Sequence, residues 1–597
     1  MGNPSRSSPT RTRRENLVKN HFRRLGIVVA AALGGSFIFY AAPLPIGTPA
    51  SALLGAFDSF AGAGTEACPQ FNALYPSVHE TLLETLNTLY DSDGGKARMV
   101  NWLSGAIQVK TESFDDMQPV GADERWKQFD AFHEYLVASY PKVHSTVSLT
   151  KVNTYGLVYH WQGSDSSLKP ILLTAHQDVV PVNPETFGEW TYPPYAGYYD
   201  GEFMWGRGSL DDKTDLIGLM STLEILIEQG FKPSRTIVLS LGFDEEIMGA
   251  HGAQYLGQYL LKTFGKNGFA MLVDEGGQWE TKYGSTIAIP GTNEKGYMDV
   301  RLELSSPGGH SSVPPPHTSI GMLSSMLVAW ESDPFPVHLT RTSPLYSTLQ
   351  CISTHASSVD PKLRKLVKSS DAGSDKALNE LEEVVLEDKA IKNLLGTTQA
   401  IDIIRGGVKT NALPERAYAV MNHRISTDSS VAETESYDFS RLLSLAGQYS
   451  LAFTAFNDTV YTPSTPAYGT LILSHAFGVW KAREPAPGTP AGSGDDAEPW
   501  RLLSGTIRAV YNGHRGIVSG SEEDKLVVSP GMGTGGTDTR WYWDLTPHIF
   551  RYRHFDRSNP AHKFAHTVDE RILMDSFVEI MKFYATLILN ADEAVNL

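Results

Sequence analysis

The sequence predicts an α/β fold: a mostly parallel sheet with helices on both faces, joined by a smaller inserted α+β domain and preceded by a single transmembrane helix. Three observations lead there. Short apolar runs at 171–174, 236–242 and 269–273 are separated by segments of helical periodicity, which is the β-α-β rhythm of a parallel sheet. From about residue 295 the pattern changes to strands that alternate polar and apolar residues and to charged helices, the texture of a separate domain. Residues 25–42 carry no charge, and Ser36 is their one clearly polar residue; an apolar run of this kind approaches the ~17–25 residues that cross a bilayer.

At 597 residues the chain exceeds one ordinary core, and its 41% hydrophobic and 20% charged residues are those of a globular protein. Disorder, collagen and a polytopic membrane protein are thereby excluded. The net charge of −17 is uneven: seven Lys and Arg against Glu15 give residues 1–24 a charge of +6, leaving −23 on the remainder. No nucleic-acid partner is expected for so acidic a body. The basic stretch reads as a cytosolic tail (1–24), followed by a signal anchor (25–42) and a Gly-, Ala-, Ser- and Pro-rich stalk (43–70). A cleaved signal peptide is the rival reading; either way the body enters the secretory route as a type II protein with a lumenal catalytic domain. The sequon Asn457-Asp458-Thr459 agrees with a glycoprotein. Cys68 and Cys351 are compatible with one bridge or with two buried thiols.

Beyond the stalk, residues 71–293 read as the first part of the catalytic domain, 294–458 as the inserted lid domain and 459–597 as the second part, ending in a helix near 570–589. The helix at 214–229 stops at Gly230, with Pro233 beyond it. The acidic run 380–388 reads as a solvated helix face, and no internal repeats occur.

Chemistry gathers where the apolar runs end. The first leads into Thr174-Ala175-His176-Gln177-Asp178, the second into Asp244-Glu245-Glu246, the third into Asp274-Glu275-Gly276-Gly277. In open α/β sheets the carboxyl ends of the strands face one crevice, so these residues converge. A lone acidic pair after a strand is ordinarily a solvated turn, and a lone histidine is ordinarily structural. Three such groups together, with the glycine loop Gly206-Arg207-Gly208-Ser209-Leu210-Asp211-Asp212-Lys213 between them, need cations to offset their mutual repulsion. Imidazole with carboxylates suits zinc, with manganese or cobalt as substitutes. Near the C-terminus either His562 or His566 is placed to complete the set.

These segments, in this order from about residue 75 to the C-terminus, resemble the aminoacylase/carboxypeptidase S family of dinuclear zinc metallopeptidases. The resemblance implies a zinc-exopeptidase-like catalytic domain and two Zn2+ ions per subunit bridged by Asp211. His176 and Asp274 complete one ion's shell, with Glu275 as an alternative to Asp274, and Glu246 and His566 complete the other's. It implies that Asp178 orients the histidine or the base, and that Glu245 is the general base that takes a proton from water and delivers it to the leaving amine. It carries over four substrate-binding residues: His310 in Pro307-Gly308-Gly309-His310-Ser311-Ser312, often supplied across a dimer, together with Asn411, Arg424 and Arg540. An arginine fork suits capture of a terminal carboxylate. The implied activity is a metallocarboxypeptidase acting on short peptides, with glycine at the penultimate position, in a vacuolar membrane protein. The implied alternative is hydrolysis of N-acyl amino acids. A homodimer is the implied assembly.

Overall fold

A computed structural model describes residues 67–478, 482–533 and 535–597. Its larger sheet runs in the order Ser148–Val152, Gly156–Trp161, Ile237–Gly242, Ile171–His176, Met271–Lys282, Ile549–Asp556, Gly291–Asn293, Gly531–Met532, with Ser285–Ala288 and Val527–Val528 attached off this path. Only its centre is consistently parallel. Ile237–Gly242, Ile171–His176, Met271–Lys282 and Ile549–Asp556 run side by side in one direction. Gly156–Trp161 and Ser148–Val152 close one edge antiparallel, so the sheet is mixed rather than mostly parallel. The expectation overlooked these edges because hairpin strands need no helix between them and leave no β-α-β rhythm.

The central strands are apolar throughout because both faces are covered. Ile171, Leu173, Ile237 and Leu239 pack into a core with helices Asp93–Gln108, Lys213–Glu228 and Met574–Glu593. Their neighbours Leu172 and Val238 point the other way, against Leu256 and Leu260 of helix Ala253–Phe264. Successive side chains alternate across a strand, so burial on both faces produces a continuous hydrophobic run. Parallel register then sets the site: Ile171 pairs with Ile237 and His176 with Gly242, which brings the residues after each strand to one edge.

The second sheet has six strands in the order Thr398–Gly406, Arg416–Ile425, Gly296–Ser305, Gly469–His475, Leu451–Ala455, Asp458–Tyr461. Helices Ser319–Ser332 and Val431–Gln448 cover it around Met326, Trp330 and Leu442. The inserted unit therefore continues past residue 458, where the expected boundary falls, because Gly469–His475 lies inside its sheet, paired with Gly296–Ser305 on one side and Leu451–Ala455 on the other. Helices Pro344–His355, Pro361–Asp371, Asp375–Val385 and Lys389–Leu395 form a further small core within it.

The expected membrane residence is corrected. No helix among the described residues is long and apolar enough to cross a membrane. The long C-terminal helix Met574–Glu593 is apolar only because it is buried against the sheet, and it carries Asp575, Glu579, Lys582 and Asp592. The expected tail, anchor and most of the stalk lie outside the described residues.

Of the two states left open for the cysteines, the structure has the bridge: Cys68 and Cys351 form a disulfide spanning 283 residues. It ties the segment entering the catalytic body to helix Pro344–His355, beside Ile287 and Val527. Replacing both cysteines with serine is expected to lower the free energy of unfolding by about 2–5 kcal/mol, read as a lower urea midpoint with an unchanged far-UV circular dichroism spectrum.

Candidate metal centre

His176 ends its strand almost fully buried, and its ring is held from both sides. Nδ1 lies 3.3 Å from Asp178 Oδ1 and 3.0 Å from the Asp178 carbonyl. Nε2 faces Asp211 Oδ1 and Glu275 Oε1, each at 3.3 Å. Burial alone would depress the imidazole pKa, but Glu275, Asp178 and Asp211 outweigh it and hold the pKa well above the usual value.

Asp178 links two strand ends. Its carboxylate accepts the backbone N–H groups of Glu245 and Glu246 at 3.1 Å each, and the Ser113 hydroxyl at 2.7 Å. One carboxylate thus sets the histidine ring and the course of the acidic loop after Ile237–Gly242. Glu245 is partly buried, and desolvation followed by Glu275 and Glu246 raises its pKa well above its ordinary value. Burial raises the Glu246 carboxyl to about 7 against the opposing pull of His566. Arg540 Nη2 lies 3.6 Å from Glu245 Oε1 while its Nε donates to the Thr537 carbonyl at 2.8 Å.

Asp211 sits in a loop whose backbone is pinned from the C-terminal segment. The buried Glu570 carboxylate accepts N–H groups from Gly208 and Leu210 at 2.9 Å and from Asp211 at 3.2 Å, and pairs with Arg207. Gly206 and Gly208 have φ of 143° and 85°, a region open to glycine, and the peptide between Asp211 and Asp212 is cis. Four residues before Glu570, His566 Nε2 reaches Asp211 Oδ2 at 3.3 Å and Glu246 Oε1 at 3.2 Å. Hydrogen bonding to Asp211 and then Glu246 raises the His566 pKa to about 10.

Asp211 therefore lies between two histidines. His176, Asp211 and Glu246 offer one ligand atom each within 4.8 Å of one another, as do His176, Glu245 and Glu275, and Asp211, Asp212 and Glu275. The donors, imidazole and carboxylate, fit a pair of divalent cations. Asp274 does not join these groups. Consecutive strand residues point to opposite faces, so Glu275 turns to His176 while Asp274 turns away, and burial followed by Glu275 raises the Asp274 pKa to about 6. His562 is also elsewhere, with Nδ1 2.6 Å from the Asp556 carbonyl and Nε2 accepting the Leu573 N–H at 3.3 Å.

The four expected substrate residues divide. Arg540 touches the centre. Arg424 has its guanidinium 4.7 Å over the Tyr297 ring, makes no ion pair among the described residues, and feels both Arg540 and Glu245. Tyr297 pairs in register with Arg424 on one side and bridges to Arg483 on the other, so the three side chains share a face; Arg483 stacks 4.1 Å over Trp541. His310 and Asn411 lie apart, at the exposed ribbon of Gly309–His310 and Ala412–Leu413, where His310 Nδ1 meets Ser312 Oγ at 2.7 Å.

Three contributors escaped the sequence reading: Glu570, Arg483 and Arg553. Arg553 lies in Ile549–Asp556, a strand where Arg551, Arg553 and His554 are all buried. Two arginines and a histidine interleaved with Phe550, Tyr552 and Phe555 in one short strand were the available signal.

The geometry defines a candidate metal centre at the carboxyl edge of the parallel strands of an α/β sheet, and the comparisons give its class. A model of peptidase family M20/M25/M40 matches residues 172–590, and the chain belongs to that family. It is 36% identical over 532 residues to carboxypeptidase S of Saccharomyces cerevisiae, covering 88% of this chain and 89% of that one. It is 30% identical over 498 residues to the mouse N-fatty-acyl-amino acid synthase/hydrolase PM20D1, covering 82% and 87%. Among solved structures, human carnosine dipeptidase 1 shares the fold with a TM-score of 0.56 at 14% identity, covering 86% of this chain and 99% of that one.

Asp178→Asn would turn an N–H donor toward groups that already donate. It is expected to weaken metal binding about 10–100-fold, measured by competition with a chromophoric chelator, while the melting temperature of the metal-loaded protein changes little.

Proposed function

We propose that this protein is a metal-dependent carboxypeptidase that hydrolyses the C-terminal peptide bond of short peptides. The observation that carries this reading is the position of Glu245. It is partly buried and meets His176 and Glu275 in one of the ligand groups, with a raised pKa and a backbone N–H tied to Asp178. His176, Asp211, Glu246, Glu275 and His566 would hold two zinc ions. Bound there, the ions would lower the pKa of water and polarise an amide carbonyl.

The remaining work falls to the chain's own side chains. Glu245 takes the proton of the attacking water and returns it to the departing amine, a role that suits a carboxyl whose proton affinity is raised by desolvation and by neighbouring acids. Arg424 and Arg540 supply cations for the substrate's terminal carboxylate, and Arg424 is free for it because an aromatic face, not an acid, supports its guanidinium. The likeness to carboxypeptidase S over nearly the whole chain favours a peptide substrate, and a glycine at the penultimate position is part of the proposal. So is a homodimer in which His310, exposed on its ribbon, serves the centre of a second copy.

Chelation is expected to abolish peptide hydrolysis and added zinc to restore it. Glu245→Gln is expected to lower kcat by at least about 10²–10⁴-fold while metal content, measured by atomic emission, stays at two ions per chain. Turnover of a glycyl-leucine-type peptide should exceed that of an N-oleoyl amino acid; faster cleavage of the lipid would reassign the protein to the chemistry named in its mouse relative.

A further inference from the structure

Arg553 is the most heavily loaded cation among the described residues. Other buried arginines near the site face a single acid: Arg207 pairs with Glu570, and Arg551 with Glu294 at 2.8 Å. Arg553 faces four. Its Nη2 lies 3.1 Å from Asp211 Oδ1 and 2.6 Å from Asp212 Oδ1, and it also meets Glu275 Oε2. Its Nε lies 2.6 Å from Asp215 Oδ2, and its Nη1 donates to the Leu210 carbonyl at 2.6 Å.

The sharing is specific. Asp211 Oδ1 faces both Arg553 and His176, while Asp211 Oδ2 faces His566. Glu275 gives Oε1 to His176 and Oε2 to Arg553. Asp212 accepts the His176 backbone N–H at 3.2 Å through its other oxygen. Four acids around one guanidinium, Asp212 and Asp215 buried and Asp211 and Glu275 partly so, leave an excess of negative charge that a poor dielectric makes costly. A fixed cation and bound metal ions relieve the same excess, so each is worth less when the other is present.

We propose that Arg553 is a built-in counter-cation of the metal centre, a positioning residue that holds Asp211 and Glu275 in place without metal and opposes metal binding electrostatically. This rests on the metal-centre reading above. It predicts antagonism: removing Arg553 harms the metal-free protein more than the loaded one, whereas loss of an ordinary structural contact would harm both equally.

The test compares melting temperatures of wild type, Arg553→Met and Arg553→Lys, each in excess zinc and after exhaustive chelation. The gap between loaded and stripped protein is expected to widen by about 5–10 °C in Arg553→Met and by less in Arg553→Lys, which keeps the charge. In the Arg553→Met background, Asp215→Asn removes one of the four acids without touching a candidate ligand, and it is expected to narrow the gap again. A gap equal to or smaller than that of wild type in Arg553→Met overturns the proposal. Should Arg553→Met not be recovered folded, Arg553→Lys decides: a widened gap supports the proposal, and an unchanged or narrowed one overturns it. A wild-type protein whose melting ignores zinc overturns the metal-centre reading itself, a result distinguishable from equal gaps.

Discussion

Asp211, Asp212, Asp215, Glu245, Glu246 and Glu275 crowd the carboxyl ends of a few buried strands, and the catalytic domain is arranged around the repulsion this creates. Like charges so close in a poor dielectric are tolerated only with cations among them. The protein supplies His176, His566 and Arg553, each in contact with two or more of these acids, yet carboxylates still outnumber them. That imbalance is the physical case for bound divalent ions, and it also explains the raised pKa of the proposed base: Glu245 is pushed up by desolvation and by the company of Glu275 and Glu246.

Rigidity around this charge comes from backbone groups. Asp178 and Glu570 are both buried carboxylates that accept main-chain N–H groups, one from the loop of Glu245 and Glu246, the other from the loop of Asp211. Each fixes a loop from a distant part of the chain, so the catalytic geometry is inherited from the sheet and the C-terminal segment together. Charged acceptors make such hydrogen bonds strong and short of alternatives. The centre is therefore held by the same fold that creates its electrostatic strain.

The inserted domain contributes differently. Its sheet sets Arg424, Tyr297 and Arg483 in one row by register, and the row approaches Arg540 and Trp541 of the catalytic domain. Cations supported by aromatic faces instead of acids remain available to an anionic substrate group. His310 and Asn411, on their exposed ribbon, have no such placement within one chain.

Much of the centre is legible in the sequence. The apolar runs ending in His176, Glu245 and Glu275 announced buried parallel strands, and the glycines before Asp211 announced a loop under conformational demand. What could not be read were properties that arise only between distant segments. Whether Asp274 or Glu275 faces His176 depends on strand alternation relative to a neighbour's register. Arg553 and Glu570 matter through contacts more than 300 residues away in sequence. The end of the inserted sheet depends on Gly469–His475 finding Gly296–Ser305. Sequence alone determined which residue types would gather, because periodicity and local composition are encoded residue by residue. Tertiary structure alone decided which atoms meet and which charges balance, because facing direction and long-range pairing belong to the packed whole.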